Sequence, residues 1–162
     1  MKSIIATTVA ATALVLGAMP AHAQTWPTKP VRIVVPAPGG SSLDIVARLL
    51  GDKLKDKWGQ PVIVDPKPGA GGTIGVDVAA KATDQHTLVI GFPGPTAYGP
   101  FLYKKMPYDV SKDLVPIVIT TTQPNVLAVN ANLPVKNVAE LVAYSKANPG
   151  KLSYASVGNG SS

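Results

Sequence analysis

The spacing of apolar and polar positions changes several times along the chain, and each change marks an element. Val31 to Val35 is an apolar, β-branched run behind Lys29-Pro30, the pattern of a strand buried on both faces. It ends at Pro36-Ala37-Pro38-Gly39-Gly40, where two prolines remove the N–H groups that a ladder needs. Ser41 or Ser42 then opens a helix reaching about Trp58. Ile45, Val46, Leu49, Leu50 and Leu54 recur at helical spacing, and Asp44 stands in the first turn, where a carboxylate suits the helix dipole. Gly59-Gln60-Pro61 stops that helix, and Val62-Ile63-Val64 reads as a second strand.

A turn-rich loop follows from Asp65 to Gly72. A short helix is predicted over Thr73 to Ala82, a third strand over Leu88 to Ile90, and a weaker helical turn over Thr96 to Tyr103. Strands alternating with helices of this length imply crossover connections and a parallel sheet, so this half is α/β. Beyond Lys112 the spacing differs. Val115 to Thr121 and Asn125 to Val129 are two apolar runs with no room for a helix between them, and they are expected as extended strands passing from one lobe to another. Asn137 and Glu140 form a capping-box variant that opens a helix over Val138 to Ala147. Leu152 to Ala155 starts a further strand, and the last six residues read as a strand-to-helix loop without its helix.

The first residues have a different use. Met1-Lys2-Ser3 gives a positive start, Ile4 to Met19 is apolar, and Ala21-His22-Ala23 follows Pro20, the layout of a secretory signal peptide cleaved after Ala23. With 46% apolar and 15% charged residues, the chain is too apolar for disorder and is expected to build a packed core. The absence of cysteine excludes disulfides, thiolate metal sites and a cysteine nucleophile, and with export it fits a bacterial periplasm. The net charge of +6 comes from lysines scattered along the chain without arginine-rich or aromatic interleaving, so nucleic acid is not an expected partner.

Catalytic constellations are missing. Only His86 remains after removal of residues 1–23, and it is expected as an exposed loop histidine before the third strand; no triad, metal-ligand spacing or Walker A sequence accompanies it. Gly69-Ala70-Gly71-Gly72-Thr73-Ile74 places Ile74 where a dinucleotide loop needs its third glycine. What remains are glycine- and hydroxyl-bearing loops at the C-terminal ends of strands, where open α/β sheets take ligands. Such loops make either an anion site, from backbone N–H groups, a helix N-terminus and serine hydroxyls, or ordinary turns. Phe92, Pro93 and Tyr98 are either the apolar wall of that pocket or core.

Several stretches of the chain, in order, carry a more specific signal. They are Trp26 to Pro36, Asp44-Ile45-Val46-Ala47-Arg48, Gly59 to Val64, Lys67 to Gly75, Leu102 to Asp109, Pro124 to Asn130 and Leu152 to Ser161. Together they resemble the solute-binding receptors of tripartite tricarboxylate transporters, the Bug family. The resemblance implies an α/β, periplasmic-binding-protein-like (type II) fold of two lobes. It further implies a non-enzymatic, monomeric receptor without cofactor or metal, which closes over a small carboxylated solute and delivers it to integral-membrane transporter subunits.

Carried onto this sequence, residues 1–23 are the signal peptide, 24–122 the first lobe without its C-terminal return, and 123–162 a hinge strand and the start of a second lobe. Ser41, Ser42 and Asp44 fall on one side of the cleft, and Ser156, Asn159, Ser161 and Ser162 on the other. Asp44 is expected to order its loop by accepting from backbone N–H groups. The sequence departs from the family pattern in three ways. Pro38-Gly39-Gly40 sits one position early, Asp84-Gln85-His86 replaces an acidic-Gly-Tyr turn, and members of the family are considerably longer. An incomplete second lobe is therefore expected, with exposed apolar edges. A periplasmic sensor or interaction protein, and a nonfunctional fragment of a receptor, are the alternative readings.

Overall fold

A computed structural model describes residues 26–156 and 158–161; the predicted signal peptide and Ser162 lie outside them. Strand β1 (Val31–Val35) is the centre of a three-stranded parallel sheet in the order β2-β1-β3, with β2 at Val62–Pro66 and β3 at Thr87–Val89. The register sets Ile33 beside Val64 on one side and Leu88 on the other. Because β1 has a neighbour at each edge and a helix against each face, Val31, Val34 and Val35 are fully buried and Ile33 nearly so. Each such side chain stabilises the fold by roughly 1.5–3 kcal/mol.

Helix α1 (Ser42–Trp58) packs on β1 and β2, and α2 (Thr73–Ala80) on β1 and β3. Alternation along β1 sends Ile33 and Val35 into one cluster with Ala37, Ala47 and Ile90, joined by Leu43, Leu50, Val62, Val64 and Leu88. The face of α1 that meets the sheet is therefore Leu43, Ala47 and Leu50. The sequence-predicted stripe is only partly used, since Ile45 and Leu49 are exposed. Gly51 explains the choice: a Cβ there would stand 3.2 Å from Val62, so this side of α1 approaches the sheet most closely. Ser41 caps α1 with its hydroxyl accepting from the Asp44 N–H, and Gly59, at φ 65°, closes its far end.

The predicted weak helical turn proves to be a π-type turn (Gly94–Tyr98) running into the short helix α3 (Gly99–Leu102), and Val110–Asp113 forms a further turn, α4, that the sequence did not signal. Helix α5 (Val138–Ala147) starts as predicted at Asn137, whose Oδ1 accepts from the Glu140 N–H. The expected strands over Val115–Thr121, Asn125–Val129 and Leu152–Ala155 are absent. A strand needs a partner ladder, and no described residue supplies one. Ile117, Val118, Ile119 and Val126 are each at least 75% exposed.

His86 is also different from expectation, being buried rather than exposed. Its Nε2 accepts from the Thr28 N–H, its Nδ1 lies 2.9 Å from the Asp84 carbonyl oxygen, and its ring leans on Trp26, which meets Trp58 edge-on. This cluster sits where β3 begins and α1 ends, at the opposite end of the sheet from the loops that follow the strands. His86 is a structural residue there.

Candidate functional site

The loops after β1, β2 and β3 emerge together at the C-terminal end of the parallel sheet, as the direction of the strands requires. The first is drawn inward by Asp44. Its buried carboxylate accepts from the Gly40 N–H at 2.9 Å and from Nε and Nη2 of Arg48 at 2.9 and 3.1 Å. The Arg48 hydrogen bond, with the Gly40 N–H second, holds the Asp44 carboxyl below the usual carboxylate range. Asp44 is thus ionised and already satisfied. It fixes the Gly39-Gly40 turn instead of projecting negative charge outward.

The first four N–H groups of an α-helix have no intrahelical partner, and the Ser41 hydroxyl answers one of them, that of Asp44, at 3.3 Å. Exposed Ser42 follows, its Oγ accepting from Gln123 Nε2 over 3.4 Å. The second loop turns through Gly69, Gly71 and Gly72, all at positive φ, and delivers the chain into α2. Gly75 of α2 seats that helix against the first two loops: a Cβ there would stand 2.6 Å from Pro36 and 2.8 Å from the Lys67 carbonyl oxygen. The third loop enters the turn at Gly94, with Pro95 fully buried behind it and the Pro95 carbonyl accepting from the buried Tyr108 hydroxyl at 2.9 Å.

A fourth segment reaches the same place from far along the chain. Ser156 Oγ accepts from the Gly158 N–H, and Ser161 turns back on Gly158 through both its N–H and its hydroxyl. The carbonyl oxygen of Asn159 lies over Gly71 and accepts from the Tyr103 hydroxyl at 2.6 Å, while the carbonyl oxygens of Gly160 and Ser161 lie over Gly94. Of the residues singled out in the sequence, Ser41, Ser42 and Asp44 come together on one loop, and Ser156, Asn159 and Ser161 on another. The second group docks on the loops after β2 and β3. Sequence reasoning missed Tyr103, Gly71 and Gly94 as the residues that receive it. Tyr98 is half exposed and Phe92 partly buried, so neither is core.

An open groove of about 610 Å³ lies elsewhere, between Phe101, Met106, Tyr108 and Asp109. None of the singled-out residues lines it. Chemically the sheet end offers backbone N–H groups, serine hydroxyls and a helix N-terminus with its nearest carboxylate neutralised, a set that favours an anion the size of a carboxylate. No described residue there is arranged as a nucleophile beside a base.

A family model described as tripartite tricarboxylate transporter family receptor matches residues 46–162. Protein BugT of Bordetella pertussis is 41% identical over 140 residues, covering 85% of this chain and 43% of that protein. Among solved structures, Rpa4515 of R. palustris with adipate superposes with a TM-score of 0.77 at 36% identity, covering 84% of this chain and 46% of that one. MatC from Rhodopseudomonas palustris with bound malate gives a TM-score of 0.70 at 33% identity, covering 75% and 42%. The chain therefore spans about half the length of the relatives it matches.

Proposed function

This chain belongs to the tripartite tricarboxylate transporter receptor family, and on that premise we propose that it serves as a periplasmic receptor that captures a small dicarboxylate at the C-terminal end of the sheet. The observation that carries the reading is the convergence of the Ser41–Ser42 helix start and the Ser156–Ser161 loop on one sheet end whose nearest carboxylate, Asp44, is occupied by Arg48 and Gly40. The hydroxyls of Ser41 and Ser42 and the first-turn N–H groups of α1 take one carboxylate of the solute. Ser156, Asn159, Ser161 and Ser162 take the other. Hydrogen bonds to an ionised partner are worth about 1.5–3 kcal/mol each, so a few of them contribute substantially to recognition. Asp44 positions the first loop and does not touch the solute.

In this reading residues 1–23 are removed on export by cleavage after Ala23, residues 24–122 belong to the first lobe, and residues 123–162 carry the hinge and the start of the second. The loaded receptor hands its solute to integral-membrane transporter subunits and works as a monomer. Relatives with adipate and with malate make linear dicarboxylates the first class to try. The test is thermal denaturation of the protein translated from the whole reading frame at its locus, against a panel of mono-, di- and tricarboxylates. A melting temperature that rises with ligand concentration supports the proposal, because only ligands that bind the folded state stabilise it. A protein inert to the entire panel overturns it.

A further inference from the structure

We infer that Tyr103 is a positioning residue for ligand capture: its hydroxyl clasps the Ser156–Ser161 loop by the Asn159 carbonyl and holds it on a seat made by Gly71 and Gly94. The inference rests on the reading above, that this loop contributes to the solute site. Contacts at two places, the Asn159 carbonyl and the Gly160–Ser161 carbonyls, define the seat. The Tyr103 hydroxyl donates to the Asn159 carbonyl oxygen at 2.6 Å, a short hydrogen bond between residues distant in sequence. A Cβ on Gly71 would stand 2.8 Å from that same oxygen. A Cβ on Gly94 would stand 2.6 Å from the Ser161 carbonyl oxygen, with the Gly160 carbonyl closer still.

The two glycines differ in an informative way. Gly71 has φ 61°, so its own turn already favours glycine. Gly94 does not have a positive φ and begins a helical turn, where alanine would be intrinsically preferred. Apart from the Phe92 ring at 2.9 Å, the crowding at Gly94 comes from the carbonyl oxygens of the arriving loop. Glycine at position 94 is therefore explained chiefly by what lands on it. Gly160, packed against Leu102 and the Tyr103 ring, completes the clasp from the loop side. The effect is to fix the height of the Ser156, Asn159 and Ser161 groups above the sheet end, and so the span between the two carboxylates they and the α1 N-terminus can accept.

The experiment compares wild type, Tyr103→Phe and Gly94→Ala in the protein from the whole reading frame, with two readouts. Calorimetric titration with adipate and malate gives affinity, and amide hydrogen exchange without ligand gives the protection of Ser161, whose N–H is bonded to Gly158. Tyr103→Phe keeps the ring and should weaken binding roughly threefold to tenfold, the size of one hydrogen bond. It should also speed exchange at Ser161 while exchange in β1 stays unchanged. Gly94→Ala, whose new methyl would meet the carbonyl oxygens of the docked loop, should likewise speed exchange at Ser161 and weaken binding tenfold or more. Variants that bind as wild type does, with Ser161 equally protected, overturn the clasp. If wild type binds neither acid, the reading of the solute fails, and the clasp is still decided by whether Tyr103→Phe deprotects Ser161.

Discussion

Gly75 offers the sharpest check on how the C-terminal end of the sheet is assembled. It lies inside α2 with ordinary helical geometry, so replacing it by alanine should by itself stabilise the helix by roughly 0.5–1 kcal/mol. The packing argues the other way. The added methyl would lie 2.6 Å from both Cα and Cβ of Pro36 and 2.8 Å from the Lys67 carbonyl oxygen, against a comfortable separation of about 3.5–4.0 Å between carbon atoms. Two of the three obstructing atoms are backbone, so relief requires α2 to retreat by about 1 Å from the loops after β1 and β2. Overpacking of this kind costs about 1–3 kcal/mol, and the backbone obstruction places it in the upper half of that range. The net expectation is a destabilisation of about 1–2 kcal/mol.

Gly51→Ala is the matched control, because its new methyl would meet only the side chains of Val62 and Val64, at 3.2 Å and beyond, and these can give way. Its helix-propensity gain should leave it near neutral. Urea unfolding followed by the fluorescence of Trp26 and Trp58 would read the difference. With a slope of about 2 kcal/mol per molar, Gly75→Ala should lose about 0.5–1 M in midpoint relative to Gly51→Ala. Equal midpoints, or a higher one for Gly75→Ala, would show that α2 is not seated this tightly, and the described geometry of the sheet end would fall with it.

Other outcomes follow from the same structure. Ile33→Ala should destabilise by about 2–5 kcal/mol in chemical denaturation, whereas Leu49→Ala, exposed on α1, should stay within about 0.5 kcal/mol of wild type. His86→Phe strips the partners from the Thr28 N–H and the Asp84 carbonyl and should cost about 1–3 kcal/mol, while any response of the melting temperature to carboxylates should persist because the proposed site is at the other end of the sheet. The Asp109 carboxyl is lowered to about 2, first by the Lys112 hydrogen bond and then by the Ser111 hydroxyl and N–H. Its stabilising contribution is therefore present above about pH 4 and lost as the pH falls through about 2. Lys112→Met should move its NMR titration midpoint up toward the ordinary range near about 4.

Much of the α/β half is legible in the sequence, because its signals are local. β1, α1 with its Ser41 and Gly59 caps, and α5 with its Asn137 cap each announce themselves through periodicity and end chemistry. The face of α1 is less legible. Two apolar stripes overlap on it, and only the close approach at Gly51 selects Leu43, Ala47 and Leu50 over Ile45 and Leu49. The strands expected after Lys112 failed for a related reason, since β-propensity describes a willingness to pair and says nothing about whether a partner is present. His86 reads as a loop histidine until Trp26, Thr28 and Asp84 are brought round it by the fold. At the candidate site, serines and glycine loops are visible as types, but the Tyr103–Asn159 bond spans 56 residues and no local pattern predicts it.

The place of β1 at the centre of the sheet also sets an order of events in time. It is the first strand to be made, yet its two partners come later, and the second ladder is not closed until Leu88 reaches Ile33. Until then half of its backbone N–H and C=O groups have only water to bind, and the loop that must close is long. Parallel pairing of this kind is slow to nucleate. A nascent chain with this topology stays open well past the synthesis of its first strand, which is the state that the export proposed above requires.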